Sequence, residues 1–172
     1  MKIFATQLQG IFQSIASKQE EAFEDASRLL LQAVSGPGTL YIAAAPPLKG
    51  TAVSLCSHPD APEGLVFTED IPSGMQEADR LLLLADKDSN NMISWQEAAG
   101  RVSASSVIIG PASAKESAEL EALDVWLDTF VRGGIVPTDT GEKHGDPASL
   151  AVLFTGQLLF LYMQEMLEEL LS

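Results

Sequence analysis

The chain has 172 residues, of which 46% are hydrophobic and 20% charged, enough for one folded domain with a real core and too apolar for a disordered polymer. Its formal net charge of −14 repels nucleic acid and anionic membranes, so neither is an expected partner, although a local site for one phosphate is compatible with it. A single cysteine, Cys56, excludes an intrachain disulfide, and the N-terminus lacks an apolar signal core, so the expected location is the cytoplasm.

In chain order, residues 2–34 are predicted as helix, because Phe4, Leu8, Ile11, Ile15, Ala22, Ala26, Leu29 and Ala33 recur at spacings of three, four or seven. Ser35-Gly36-Pro37-Gly38 breaks it. Residues 39–45 read as a buried strand closed by Pro46-Pro47, residues 48–57 as helix, and residues 64–68 as a second short strand. Cys56, with no His–Asp set beside it in sequence, reads as a small buried hydrophobe rather than a nucleophile. Residues 79–85, with four consecutive leucines, are ambiguous alone: leucine favours helix, but a short apolar run ending at a polar loop suits a central parallel strand.

A short helix is expected from about Asn91 to Arg101, with a capping-box spelling at Ser94-Trp95-Gln96-Glu97. Residues 106–111 form a strand ended by Gly-Pro, residues 116–123 a helical turn or two, and residues 125–131 another strand. Asp146 caps a long C-terminal helix, with Pro147 in its first position. The most apolar window of that helix, Leu150 to Met163, is shorter than the roughly 18–20 residues that cross a bilayer. Because this helix is apolar on nearly every side, it is expected inside the domain or in an oligomer interface, and the N-terminal helix is a second interface candidate. Apolar runs alternating with helices predict a single α/β domain over residues 1–172, built on a mainly parallel sheet.

The segment Asp86–Glu97 carries two chemistries. Asp86, Asp88, Asn90 and Glu97 fall on loop positions 1, 3, 5 and 12 of a calcium-binding EF-hand, and Ile93 on the apolar position 8, with Asn91 in place of the usual glycine. An EF-hand needs a helix before the loop, whereas a strand over residues 79–85 makes the same segment a strand-end loop. A receiver-type phosphoacceptor at Asp86 is excluded, because the first strand ends in Ala and Pro rather than in acids that bind magnesium.

Several stretches carry a family likeness: Lys2-Ile3-Phe4-Ala5-Thr6-Gln7-Leu8-Gln9-Gly10-Ile11-Phe12, Gly38-Thr39-Leu40-Tyr41-Ile42, Ala78-Asp79-Arg80-Leu81-Leu82, and Val136-Pro137-Thr138-Asp139 leading to Gly145-Asp146-Pro147. In these the chain resembles a small bacterial family with a sugar-isomerase (SIS) type domain, phosphoheptose isomerase-like. The resemblance implies a three-layer α/β sandwich with flavodoxin-like winding and long N- and C-terminal helices. It further implies binding of a phosphorylated sugar or related small molecule, a homodimer, no cofactor, and aldose–ketose isomerisation as the activity to consider.

By position, the family's phosphate loop corresponds to Asp86–Asn91, where Ser89, Asn90 and Asn91 would donate at a helix N-terminus and Lys49 would contact the anion. Asp86 and Asp88 would oppose it. Phosphoheptose isomerases carry histidine on the late helix, where this chain has Gln157 and no histidine; Glu142 with His144 is the acid–base pair available. These departures point to weak or lost catalysis, and to a non-catalytic interaction or regulatory protein on the same fold as the alternative. A calcium-binding module is the third reading.

Overall fold

The computed structural model describes residues 1–88, 90–118 and 120–172, and only the backbone of residues 90 and 91. Two helices open the chain, α1 (Lys2–Ser17) and α2 (Glu20–Val34), where the apolar periodicity predicts one. The break falls at Gln19, whose backbone leaves the helical region at φ −148°, ψ 37°. Then follow β1 (Leu40–Ala44), a 3-10 turn (Pro46–Leu48), α3 (Lys49–Cys56), β2 (Val66–Phe67), β3 (Arg80–Leu84), α4 (Asn90–Arg101) and β4 (Ser105–Gly110). After them come α5 (Ala112–Lys115), β5 (Val125–Asp128), a hairpin of β6 (Val136–Pro137) and β7 (Lys143–His144), and α6 (Ala148–Leu171).

The main sheet is parallel throughout, in the order β2-β1-β3-β4-β5. The four leucines of β3 are strand, not helix, and all four are fully buried. Leu82 and Leu84 join Ile42, Val107, Ile109 and Leu127 on the face covered by α2, α3 and α6. Leu81 and Leu83 join Ile108 and Trp126 on the face covered by Met92, Trp95 and Ala99 of α4. A strand buried on both faces needs no polar alternation, so it reads as a continuous apolar run. The winding reverses at β1: the chain steps outward to β2, then back past β1 to β3. Right-handed crossovers then put α3 and α4 on opposite faces, giving the three layers.

Three expectations shift. The turn predicted at 116–123 lies earlier, as α5, because Pro111 ends β4 in extended geometry (φ −72°, ψ 149°) and the helix starts directly after it. Pro147 is the N-cap of α6 rather than its first residue, since its backbone (φ −92°, ψ 14°) precedes a helix that starts at Ala148. The last strand stops at Asp128, not Val131.

At the amino edge of the sheet, two aspartates act alike. Asp79, 6% exposed, accepts from the Thr39 and Gln76 N–H groups, both at 2.8 Å. Asp124 accepts from Ser106 N–H at 2.7 Å and Glu121 N–H at 2.9 Å. Each carboxylate ties the start of its own strand to the neighbouring chain. Burial raises the Asp124 pKa above the ordinary carboxylate value, against the lowering effect of those two hydrogen bonds. Beside Asp79 the backbones nearly touch: a Cβ at Gly38 would stand 1.9 Å from the Ala78 carbonyl oxygen, so only glycine passes there.

The last helix has 24 residues and is long and apolar enough, by length and composition, to cross a membrane, so the length argument from the 150–163 window does not hold. In the fold it is a central packing element. Phe154 stacks on Phe12 of α1 with ring centroids 4.4 Å apart, and Tyr162 on Phe23 of α2 at 5.0 Å. Thr155, Gly156, Leu159, Phe160 and Met163 are buried.

Candidate functional site

The carboxyl ends of the strands stop level with one another, because the ladder continues one residue into each loop. Ala45 N–H donates to Leu84 O at 2.8 Å, Ala85 N–H to Ile109 O at 2.8 Å, and Thr129 N–H to Gly110 O at 3.1 Å. Above them lies a cavity of about 480 Å³, whose walls include Leu48, Asp86, Pro111, Thr129, Arg132 and Val152. That volume is in the range of small-molecule sites. It covers the reversal point between β1 and β3, where open α/β sheets bind their ligands.

The wall beyond β5 is built by a tight turn. Asp128 Oδ1 accepts from Phe130 N–H at 2.8 Å, and Phe130 sits in the left-handed region at φ 55°, rare for an aromatic residue. Its ring packs against the core, with Lys18 Nζ 5.7 Å from the centroid. The residues on either side, Thr129 and Val131–Arg132, thereby reach the cavity. Arg132 Nη2 donates to Asp128 Oδ2 at 3.3 Å and Nη1 to the Val131 carbonyl at 3.2 Å. Thr129 is 1% exposed.

Two carboxylates also line the cavity. Asp86 Oδ1 accepts from Asp88 N–H at 2.9 Å, bending the loop back on itself. Asp146, one position before the Pro147 N-cap, accepts through Oδ1 from the N–H of Ala148, the first residue of α6, at 2.9 Å.

The residues singled out from sequence are scattered. Ser89 and the side chains of Asn90 and Asn91 lie outside the described residues. Lys49 opens α3 and pairs with Glu69 at 3.3 Å, away from the cavity lining. Glu142 and His144 stand 3.6 Å apart on the β6–β7 hairpin, 77% and 67% exposed, and are not lining residues. Of the calcium set, Asp86 follows a strand rather than the helix an EF-hand requires, and Glu97 faces Arg101 at 3.8 Å within α4. Among the described residues no three His, Cys, Asp or Glu side chains come together as a metal site. Cys56 is half-buried, and burial pushes its thiol pKa up, opposed by a hydrogen bond with the Phe67 backbone.

A family model described as Domain of unknown function (DUF2529) matches residues 1–167. The chain belongs to the DUF2529 family. This DUF2529 chain is 32% identical over 174 residues to the uncharacterized protein YwjG of Bacillus subtilis (strain 168), covering 98% of each. Among solved structures it superimposes on a phosphoheptose isomerase of Francisella tularensis with a TM-score of 0.70 at 13% identity, covering 94% of this chain and 95% of that one. An Escherichia coli CFT073 protein in complex with A5P gives a TM-score of 0.70 at 13% identity, covering 97% and 89%. At such identities the likeness is one of fold, and the fold is that of the sugar-isomerase domain.

The DUF2529 cavity also uses residues that the sequence reading passes over: Thr129 and Arg132 after β5, Ser113 after β4, and Ser149 in the first turn of α6. The available signal was positional, since each follows directly on the carboxyl end of a strand or opens the last helix.

Proposed function

We propose that the protein binds a phosphorylated sugar or a closely related small molecule in the cavity at the carboxyl edge of the sheet, with isomerase catalysis weak or lost. The observation that carries this reading is the lining itself: a recess of about 480 Å³ at the winding reversal, edged by Arg132 and Lys87, with the hydroxyls of Ser113, Thr129 and Ser149 on its walls. Cations suit a phosphate, hydroxyls suit a polyol, and the two carboxylates suit sugar hydroxyl donors. The solved relatives of this fold include a phosphoheptose isomerase and a protein holding A5P, which makes sugar phosphates the first class to try.

Aldose–ketose isomerisation needs a group that removes a proton from one carbon and returns one to the next. The Glu142–His144 pair serves that role only if the hairpin bends over the cavity on binding, so Glu142→Gln and His144→Ala belong in any assay of isomerisation. The expected homodimer is part of the same reading: α1 buries only Ile15, and Leu150 and Leu161 of α6 are 43% and 50% exposed. Sedimentation velocity tests it.

The deciding experiment is a thermal-shift panel of sugar phosphates with the matching free sugars as controls. A rise in melting temperature for phosphorylated members alone is the expected result. No rise with any of them removes the reading in favour of a non-catalytic interaction protein.

A further inference from the structure

We infer that the phosphate of the ligand sits at the β4–β5 end of the cavity, on Thr129, Arg132 and Ser113, and not on the Asp86–Asn91 loop that the family likeness designates. This rests on the proposed ligand class and reverses the orientation of the ligand.

Thr129 is the decisive residue. It is 1% exposed and lines the cavity, yet its hydroxyl has no hydrogen-bond partner among the described residues. Nor is that oxygen one of the fully sealed, unsatisfied atoms of the core, which are Ser27 Oγ, Arg80 Nε and Ser106 Oγ among the described residues. The exposure that Thr129 keeps is at the wall of the recess it lines. A buried hydroxyl with no protein partner is rare and calls for a group that completes it from the cavity side. Its neighbours are suited to an anion. Arg132 uses one N–H on Asp128 and one on the Val131 carbonyl, which leaves guanidinium donors over for a phosphate. Ser113, just past the end of the adjacent strand β4, adds a second hydroxyl without a protein partner among the described residues.

The opposite assignment runs against charge. The segment Asp86-Lys87-Asp88 carries a net charge of −1, two acids against one lysine. Asp86 turns one oxygen to its own loop and Asp146 turns one to Ala148, so each keeps an oxygen for other partners. Free carboxylate oxygens repel a phosphate and accept from sugar hydroxyls. The lining therefore offers donors for an anion at Thr129 and Arg132, and acceptors for a polyol at Asp86 and Asp146.

The test is calorimetric titration of the full chain with fructose 6-phosphate, fructose and inorganic phosphate, on the wild type, Thr129→Val, Arg132→Gln and the pair Ser89→Ala with Asn90→Ala. Thr129→Val and Arg132→Gln are each expected to weaken fructose 6-phosphate about tenfold, the factor for losing a hydrogen bond to a charged group. The Ser89/Asn90 pair is expected to stay within about twofold, well inside that same margin. Thr129→Val should leave the melting temperature of the unliganded protein unchanged or raise it, because the hydroxyl it removes has no partner to lose.

A drop in that unliganded melting temperature assigns the hydroxyl to structure and overturns the inference. Loss of binding in the Ser89/Asn90 pair, with Thr129→Val unaffected, overturns the orientation and leaves the ligand class standing. A wild type that binds none of the three probes overturns both.

Discussion

Gln19 and Asp128 pair as two strand residues would: the Gln19 Nε2 donates to the Asp128 carbonyl at 2.8 Å, and the Asp128 N–H donates to Gln19 Oε1 at 2.9 Å. β5 is the edge of the sheet, and a free edge exposes unpaired backbone groups. One side-chain amide closes that edge where the chain turns toward the cavity. Gln19→Ala should therefore destabilise the protein by about 1–3 kcal/mol, the cost of two unmade hydrogen bonds. Gln19→Glu keeps the acceptor and loses the donor, so it should fall between wild type and alanine or below both. Urea denaturation midpoints check this, and an unchanged midpoint for alanine would refute it.

The aspartates at the amino edge make a second case. Asp79→Ala leaves the Thr39 and Gln76 N–H groups without their acceptor, at an expected cost of about 2–4 kcal/mol. Equal stability of wild type and variant in denaturant would show that water replaces the carboxylate.

Asp124 predicts a pH signature. Burial raises its pKa above the ordinary 3.8, so the folded state holds the proton more tightly than the unfolded chain does. The stability linked to that proton is fully present below the unfolded value and is lost as pH rises through the folded one. Relative to Asp124→Asn, the wild type should thus do best near pH 4 and lose ground on moving toward neutrality. Urea titrations at intervals from pH 4 to 7 measure the difference. A difference that grows with pH has the opposite sign and contradicts the burial argument.

Gly156 lies mid-helix in α6, where alanine would ordinarily be favoured by about 1 kcal/mol. Here a Cβ would meet Leu55 Cδ1 at 2.6 Å and Cδ2 at 2.8 Å, and Leu55 is fully buried. Gly156→Ala should accordingly destabilise by about 1–3 kcal/mol through overpacking of α3 on α6. The double variant with Leu55→Ala should show positive coupling, recovering part of the sum of the single losses. Strict additivity in a thermal or chemical melt would contradict a direct clash.

Cys56 should behave as a packed thiol. With its pKa pushed above the ordinary 9.0, little thiolate exists at neutral pH, so a thiol reagent should label it slowly at pH 7 and faster above pH 9. Rapid labelling at pH 7 would restore the nucleophile that the sequence argues against.

The sheet was largely legible because its signals are local. Leu81–Leu84 is a short apolar run ended by a polar loop, and Ser106–Gly110 ends in Gly-Pro; both are strands. What failed depends on distant residues. The helix break at Gln19 answers to Asp128, 109 residues away, and no periodicity in residues 2–34 reports it. The turn at Phe130 was hidden because valine, tryptophan and phenylalanine all favour strand, so the run through Val131 looked continuous. Thr129 and Arg132 were lost to the site for that reason. The pairing of Lys49 with Glu69, which arrives from the loop after β2, is likewise invisible to local pattern.

The walls of the cavity come from residues as far apart as Pro47 and Val152. No fragment of the sheet encloses it: the recess exists only after the last helix has docked against strands formed a hundred residues earlier. A ligand held there binds the completed fold and nothing less, so its free energy adds in full to the stability of the whole. At a hundredfold excess over its dissociation constant that amounts to about 2.7 kcal/mol. Protection from protease across the entire chain, rather than at the cavity loops alone, is how occupancy of this site would register in a cell.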